Sequence, residues 1–280
     1  EAGIRSVAVS AVFSPLNASG EEEAAAILLE ECPDVTVTLS HRLGRIGLLE
    51  RENAALLNAC LIELARTTTR AFSQALRGSG IAAPLYLTQN DGTVMLAEVA
   101  EAYPVYSFAS GPTNSMRGAA FLSKRDEALV IDVGGTTTDI GSLRHGFPRE
   151  ANNVVEIGGV RTLFRMPDLL SLGLGGGTIV GTAPSLTIGP ASVGYRLTEQ
   201  GIVFGGDVLT VTDIAVAAGL IDLRDRARVA SLPAALVMEA LARIRAMIEE
   251  GVDRMKTDAG ETPLIAVGGG SFLVPPRLAG

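Results

Sequence analysis

Apolar and polar positions change period several times along the chain. Residues 5–13, Arg-Ser-Val-Ala-Val-Ser-Ala-Val-Phe, alternate and are rich in β-branched side chains, which predicts a strand. Ser19-Gly-Glu-Glu-Glu-Ala sets a capping residue and acids ahead of an apolar run. That predicts a helix to about Glu31, with Glu21 to Glu23 as its solvated first turn. A short strand follows over 35–39. Apolar residues then recur at helical spacing, at Leu49, Leu56, Leu57, Cys60, Leu61, Leu64, Thr68, Phe72, Ala75 and Leu76. They predict one long helix over about 48–76, ended by Gly78-Ser79-Gly80. Residues 84–88 read as a strand and 95–103 as a short helix. Gly111-Pro112 opens a further helix to about Ser123.

From Ala128 the texture changes to strands in quick succession, over 128–133, 137–143, 147–157 and 160–164, with Gly146 in a tight turn between the second and third. A glycine-dense stretch, Gly173-Leu-Gly-Gly-Gly-Thr178, precedes short strands near 178–181 and 185–188 and a Gly-rich loop to Asp207. Asp213 reads as the cap of a helix over 214–219. A long amphipathic helix runs from Pro233 to about Lys256. Leu264 to Val267 reads as a buried strand opening into Gly268-Gly-Gly-Ser271. The mixture predicts an α/β fold with mixed sheets flanked by helices. Its expected division is an α/β portion with the long helix, 1–125, and a second portion, 126–280.

Composition narrows the function. The chain has 280 residues, is 47% hydrophobic and 19% charged, and carries a net charge of −8. It can build a substantial core, and without a Lys/Arg cluster it offers no nucleic-acid surface. No apolar run reaches membrane-spanning length and no signal peptide opens the chain. Cys32 and Cys60 lack metal or redox spacing and read as reduced structural thiols, so a cytoplasmic protein is expected. The chain starts at Glu1 rather than Met, which leads us to expect further sequence upstream.

The chemistry concentrates in Asp132-Val-Gly-Gly-Thr-Thr-Thr-Asp139, behind the strand Ala128-Leu-Val-Ile131. Gly134 and Gly135 lack Cβ, so an anion can approach the main chain. Thr136, Thr137 and Thr138 add hydroxyl donors. Such a turn suits phosphate. Asp132 and Asp139 repel phosphate by themselves and make sense with Mg²⁺ between carboxylate and phosphates, or with Asp132 orienting a water. Gly268, Gly269, Gly270 and Ser271 form a second strand-to-glycine turn. The two turns are expected on opposite sides of a cleft, one at the phosphates and one under base and ribose. The stretch 173–178 fails as a dinucleotide fingerprint: it follows no clear strand and opens no amphipathic helix. Gly175, Gly176, Gly177 and Thr178 instead read as a loop lining the substrate. His41 and His145 do not form a metal centre in this reading. Asp213 is expected to be a helix cap, and Arg161 and Arg165 to make surface ion pairs. Ser110-Gly-Pro is either a simple helix start or an anion site.

These residues resemble the actin, sugar-kinase and heat-shock-chaperone ATPase superfamily, where the D-x-G-G-T hairpin is the second phosphate loop and the late Gly-Gly-Gly the adenosine motif. More specifically, the chain resembles the hydantoinase A/5-oxoprolinase family. The matching pieces occur in order: Val7 to Asn17, Glu50-Arg51 with Asn58-Ala59, Gln89 to Gly92, Ser110 to Pro112 with Gly118 to Ala120, Asp132 to Asp139, Glu156 to Gly159, Leu172 to Ile179, Val211 to Asp213 and Val267 to Ser271. The resemblance implies an actin-like ATPase (ribonuclease H-like) fold. It implies ATP and Mg²⁺ as cofactors and a small cyclic amide, such as a hydantoin or 5-oxoproline, as substrate. The amide oxygen would be phosphorylated so that water can attack the carbonyl. Gly134 to Thr137 would cradle phosphates, Asp132 would serve Mg²⁺ or water, and Gly268 to Gly270 would lie against adenosine. It further implies an oligomer with a second, B-type subunit, and a first phosphate loop upstream or on a partner, since none precedes residue 132. The competing readings are an ATP-dependent carboxylase subunit, a regulatory or chaperone-like ATPase, and an assembly subunit that kept the fold without the nucleotide site.

Overall fold

The computed structural model describes residues 3–44, 46–151, 155–257 and 260–278. The chain divides into two compact units, one of residues 1–114 and 150–167, the other of 115–149 and 168–280. The expected break at 125/126 therefore differs in two ways. A helix crosses the boundary, and the segment 150–167 returns to the first unit.

The first unit begins with β1 (Ser6–Val9), α1 (Ser19–Glu31) and β2 (Thr36–Leu39), the two strands pairing in parallel from Ser6–Thr36 to Val9–Leu39. β1 is shorter than its sequence pattern. The Ala11 amide leaves the ladder to donate to Glu21 Oε1 at 2.9 Å, and the chain turns through Ser14 and Pro15. α2 (Leu48–Gly78) confirms the long helix but buries a different face. Its inward residues are Arg51, Ala54, Ala55, Asn58, Ala59, Ile62 and Thr69, whereas Leu49, Leu56, Cys60, Leu64 and Phe72 are exposed. Three alanines let the helix lie close to its neighbours, and Leu49, Leu56 and Leu64 are left outside while Leu57 packs at the edge of the core.

β3 (Tyr86–Thr88) and β4 (Val94–Leu96) make a hairpin whose turn is Gln89 to Thr93. Asp91 Oδ1 accepts from the Thr93 amide and hydroxyl, and Gly92 takes a φ of +86°. Met95, expected in a helix, is therefore in a strand, and α3 covers only Ala97–Ala102. α4 (Ser110–Ser123) starts at Ser110-Gly-Pro as expected and runs on into the second unit.

The second unit is built on β5 (Ala128–Val133) and β6 (Thr138–Arg144), antiparallel from Ala128–Leu143 to Val133–Thr138, with β7 (Phe147–Pro148) beyond the His145-Gly146 turn. Both turn residues have positive φ, as a tight hairpin requires. The strand expected over 147–157 is interrupted where the chain leaves for the first unit. There β8 (Val155–Ile157) and β9 (Val160–Thr162) pair, and Glu150 bridges Pro167 as the chain returns. Residues 152–154 of that expectation lie outside the described residues. β10 (Leu169–Leu172) was not legible in the sequence; it adds to β6. β11 (Thr178–Gly181) and β12 (Thr187–Ser192) form a hairpin, followed by α5 (Leu197–Gln200), α6 (Val211–Ala218), α7 (Ala234–Met255) and β13 (Leu264–Val267).

The main sheet runs β10-β6-β5-β13, with β13 parallel to β5 and the others antiparallel, so it is mixed as expected. β5 is apolar almost throughout because both of its faces are covered. Leu129, Ile131 and Val133 pack with Ala240, Ile244 and Ile248 of α7, and Val130 and Leu143 with Met116, Ala119 and Ala120 of α4. Each such fully buried aliphatic side chain contributes about 1.5–3 kcal/mol. Gly251 lets α7 touch the sheet: a Cβ there would lie 2.7 Å from Ile140 Cδ1. β13 was expected to be buried, but it is the sheet edge and only partly covered.

Candidate functional site

Asp132 and Asp139 are cross-strand neighbours at the open end of β5 and β6. The register that sets Val133 opposite Thr138 leaves Gly134 to Thr137 as the turn, closed by the Gly134 amide donating to Thr137 O at 2.8 Å. Gly135, Thr136 and Thr137 are exposed. Two further bonds orient the turn. Gly134 O accepts from the Gly176 amide at 3.0 Å and Gly135 O from the Gly177 amide at 2.6 Å. In a trans peptide the N–H points opposite the C=O, so the amides of Gly135 and Thr136 face away from that support. Neither they nor the Thr137 amide has an acceptor among the described residues. A Cβ on Gly135 would meet nothing within 4 Å. Unpaired amides behind open space are a cradle for an anion.

The two carboxylates share this edge. Burial holds the Asp139 carboxyl above its ordinary range, the charge of Asp132 pushes the same way, and the Ser171 hydroxyl, which donates to Asp139 Oδ1, opposes both. Like charges directly across a ladder are unfavourable unless a cation joins them. No cluster of three or more His, Cys, Asp or Glu fit to hold a metal occurs among the described residues. The two carboxylates thus stand as a pair, a number that Mg²⁺ can use only with water and phosphate completing its shell.

Not every predicted residue belongs to this surface. Thr138 is fully buried and donates its hydroxyl to Leu174 O at 2.6 Å, so it pins the hairpin and is closed to a ligand. Gly175, Gly176, Gly177 and Thr178, expected along a substrate, are all buried. The Gly175 amide donates to Thr178 Oγ1 at 2.7 Å, and the next two amides hold the hairpin carbonyls. The stretch does follow a strand, β10, and it is a brace under the 134–137 turn. A Cβ on Gly175 would lie 2.6 Å from the Thr136 nitrogen and 2.7 Å from the Gly135 carbonyl carbon. Behind the brace, Thr212 at the start of α6 donates amide and hydroxyl to Gly176 O at 2.9 and 2.8 Å. The N-cap of α6 is Thr210, not Asp213; Asp213 is the third helical residue and completes a capping box, with Oδ1 also accepting from the Val203 amide at 2.7 Å.

The second glycine turn is not across a cleft from the first. β13 lies beside β5, and its turn presses on the same corner. The Gly270 amide donates to Val133 O at 2.8 Å, and a Cβ on Gly268 would lie 2.4 Å from Asp132 Oδ1. Gly268 and Gly269 are exposed, Gly270 is buried, and Ser271 opens a short 3₁₀ turn. Sequence reasoning overlooked Gly194. A Cβ built on it would lie 4.0 Å from Thr136 Oγ1, so its backbone runs beside the hairpin. A positive φ of +56° was the hidden signal.

The first unit carries a polar network that the sequence disguised. Glu21 is buried, not solvated. It accepts from Ser40 Oγ at 2.5 Å, the Ala11 amide, the His41 amide at 3.0 Å and His41 Nδ1 at 2.8 Å. Burial pushes its carboxyl up, but the hydroxyls of Ser14 and Ser40 and the two His41 donors outweigh it and bring it down to about 2. The fully buried Arg51 donates to Ser40 Oγ, Gly47 O and Ala11 O. Asn58 donates to Thr38 Oγ1 and Ala102 O, and Asn90 to Val105 O and Arg165 O. Arg161 and Arg165 make surface ion pairs with Glu50 and Asp91, as expected. His145 is exposed on its turn. Cys32 and Cys60 are free and exposed, so neither is a core thiol.

The model of the Hydantoinase/oxoprolinase family matches residues 51–263, more than half of the chain, and the chain belongs to that family. Caprolactamase subunit alpha of Pseudomonas jessenii is 27% identical over 225 residues, covering 78% of this chain. The chain spans 32% of that relative's length. The crystal structure of the ATP-dependent caprolactamase from Pseudomonas jessenii superposes with a TM-score of 0.73 at 23% identity, over 95% of this chain and 42% of that one. The nucleotide-free structure of acetone carboxylase, from work on ATP-dependent acetone carboxylation, gives a TM-score of 0.59 at 20% identity, over 88% of this chain and 36% of that one. The fold is thus the actin-like ATPase fold, α/β with mixed sheets.

Proposed function

We propose that this chain is the phosphate-binding part of an ATP-dependent hydrolase that opens a cyclic amide. The observation that carries the reading is the hairpin turn 134–137, where the amides of Gly135, Thr136 and Thr137 have no acceptor among the described residues while the carbonyls of Gly134 and Gly135 are fixed from behind. The amides of Gly135, Thr136 and Thr137 and the hydroxyls of Thr136 and Thr137 hold phosphate oxygens. Asp132, with Asp139 across the ladder, holds Mg²⁺ or orients a water. Gly268 and Gly269 offer bare backbone to the adenosine side. Bound ATP would supply a phosphoryl group to the amide oxygen, which makes the carbonyl carbon attackable by water; the C–N bond then breaks, the ring nitrogen takes a proton, and phosphate is released by hydrolysis. The chain's own contribution is positioning and charge stabilisation, which dominate phosphoryl transfer. Family membership and likeness to a caprolactamase subunit alpha support a cyclic amide as substrate and a second subunit as partner.

The test is incubation of the protein with Mg·ATP and a panel of hydantoin, 5-oxoproline and caprolactam, alone and with its second subunit. The expected result is ADP and ring-opened amino acid in equal amounts for one ring. ATP turnover with no ring opening on any member would contradict the reading and favour a carboxylase or regulatory ATPase.

A further inference from the structure

α2 turns a second apolar face away from the first unit. Leu49, Leu56 and Leu64 are half-exposed or more, and Cys60 among them is exposed. With a residue every 100° or so around the helix, these four fall within an arc of about 80°. Ala71, also exposed, lies in the same arc. The stripe from 49 to 71 covers about 33 Å of helix. Its leucines are aligned rather than scattered, and aligned exposed apolar residues mark a contact surface.

The stripe is complementary to itself. Two antiparallel copies of α2, related by a twofold axis at residue 60, set each residue i against residue 120 − i. Leu56 then meets Leu64 of the second copy, Leu49 meets Ala71, and Cys60 meets Cys60. Asn53, on the margin of the face, is held by Arg161 O at 2.9 Å and meets Thr67, so polar stands against polar.

Charge fixes the direction. Glu52 and Arg70 lie on one flank of the stripe, are exposed, and make no ion pair among the described residues. A twofold axis of this kind brings like flanks together. Each Glu52 therefore falls within about 3 Å, along the helix, of Arg70 of the second copy. Parallel pairing would set Glu52 against Glu52 and Arg70 against Arg70, which is unfavourable. Glu63 shares the flank, but its two copies stand about 9 Å apart along the axis, where salt screens them.

We propose that this face of α2 is a self-association surface, through which the chain pairs with a second copy of itself, antiparallel and centred on Cys60. Helices pack about 8–10 Å apart with Cα atoms about 2.3 Å from each axis. The two Cys60 Cα atoms then stand about 4–6 Å apart, within the span of a disulfide. The contact uses no residue of the 134–137 hairpin and needs no nucleotide.

The test is sedimentation velocity of the whole chain across the micromolar range, with thiol cross-linking alongside. The expected result is a dimer that forms as concentration rises. In a Cys32→Ser background, diamide should link two chains through Cys60, taking up the two protons and two electrons that the thiols lose; with Cys60→Ser added, no link should form. Leu56→Glu and Leu64→Glu should each weaken the dimer about tenfold or more, as loss of a central apolar contact does. Both positions are exposed, so the variants should melt as the wild type does. Glu52→Arg should weaken the dimer and Glu52→Arg with Arg70→Glu should restore it, a rescue that a merely structural effect would not give. A chain that stays monomeric throughout, or a dimer that neither links through Cys60 nor responds to the leucine variants, overturns the proposal. A monomeric chain whose binding to its second subunit is lost in Leu56→Glu and Leu64→Glu overturns it too, and assigns the face to that subunit.

Discussion

Gly175→Ala is the perturbation whose outcome follows most directly from the packing. The added Cβ would lie 2.6, 2.7 and 2.8 Å from Thr136 N, Gly135 C and Gly134 O, all main-chain atoms that cannot swing aside. The hairpin must move off the brace, which weakens the bonds from Gly176 to Gly134 and from Gly177 to Gly135. Overpacking of this kind costs about 1–3 kcal/mol. Replacing glycine regains about 0.4–1 kcal/mol by restricting the unfolded chain. The net is a loss of about 1–2 kcal/mol, read in calorimetry as a drop of about 2–8 °C in the melting temperature of the second unit. Gly135→Ala is the internal control: its Cβ has open space, so the melting temperature should hold. Because the turn also shifts, Gly175→Ala should weaken Mg·ATP binding about tenfold or more, the scale on which displaced charge-assisted bonds register. A Gly175→Ala protein that melts and binds as the wild type does would refute the claim that this stretch braces the hairpin.

Other changes separate structural from ligand-facing residues. Thr138→Val strands the buried Leu174 carbonyl and should cost about 1–3 kcal/mol in thermal stability, whereas Thr136→Ala should leave melting unchanged and weaken Mg·ATP. Asp132→Asn removes a neighbouring negative charge, so the Asp139 carboxyl should titrate at lower pH, readable by carbon-detected NMR; an unmoved Asp139 would mean the carboxylates are not coupled. Glu21, lowered from 4.5 to about 2 in the fold, stabilises the first unit above pH 4.5, and that contribution is lost as pH falls toward 2. The difference amounts to roughly 3 kcal/mol. Glu21→Gln should be destabilised at neutral pH and should lack this acid-dependent loss; retained acid sensitivity over that window would argue against the network.

The sequence exposed what local pattern controls. Four apolar residues ahead of Asp-x-Gly-Gly specified β5 and its hairpin, because a strand covered on both faces must be continuously apolar. It also specified α7, where a single face meets the sheet. It misled where packing chose the less greasy side. On α2 the leucines looked like the core, but Ala54, Ala55 and Ala59 fit against β1 and β2, and Arg51 and Asn58 came with them into buried hydrogen bonds. Glu21 looked like a solvated first-turn acid, because the donors that bury it, Ser40 and His41, lie about twenty residues away. Gly175 to Thr178 looked ligand-facing since glycine signals close approach; the approaching group proved to be the hairpin itself. The strand pairing that places β13 beside β5 is non-local, and no local pattern could reveal that both glycine turns share one corner.

The central claim is that the 134–137 turn is a phosphate cradle, and titration of Mg·ATP into wild type and Gly135→Val, with melting temperatures alongside, tests it most directly. A valine there meets no protein atom near its Cβ, so the fold should stand while the side chain fills the space in front of the amides. The account predicts saturable binding by wild type and its loss in a Gly135→Val protein that melts normally. Equal binding by the two proteins would contradict it.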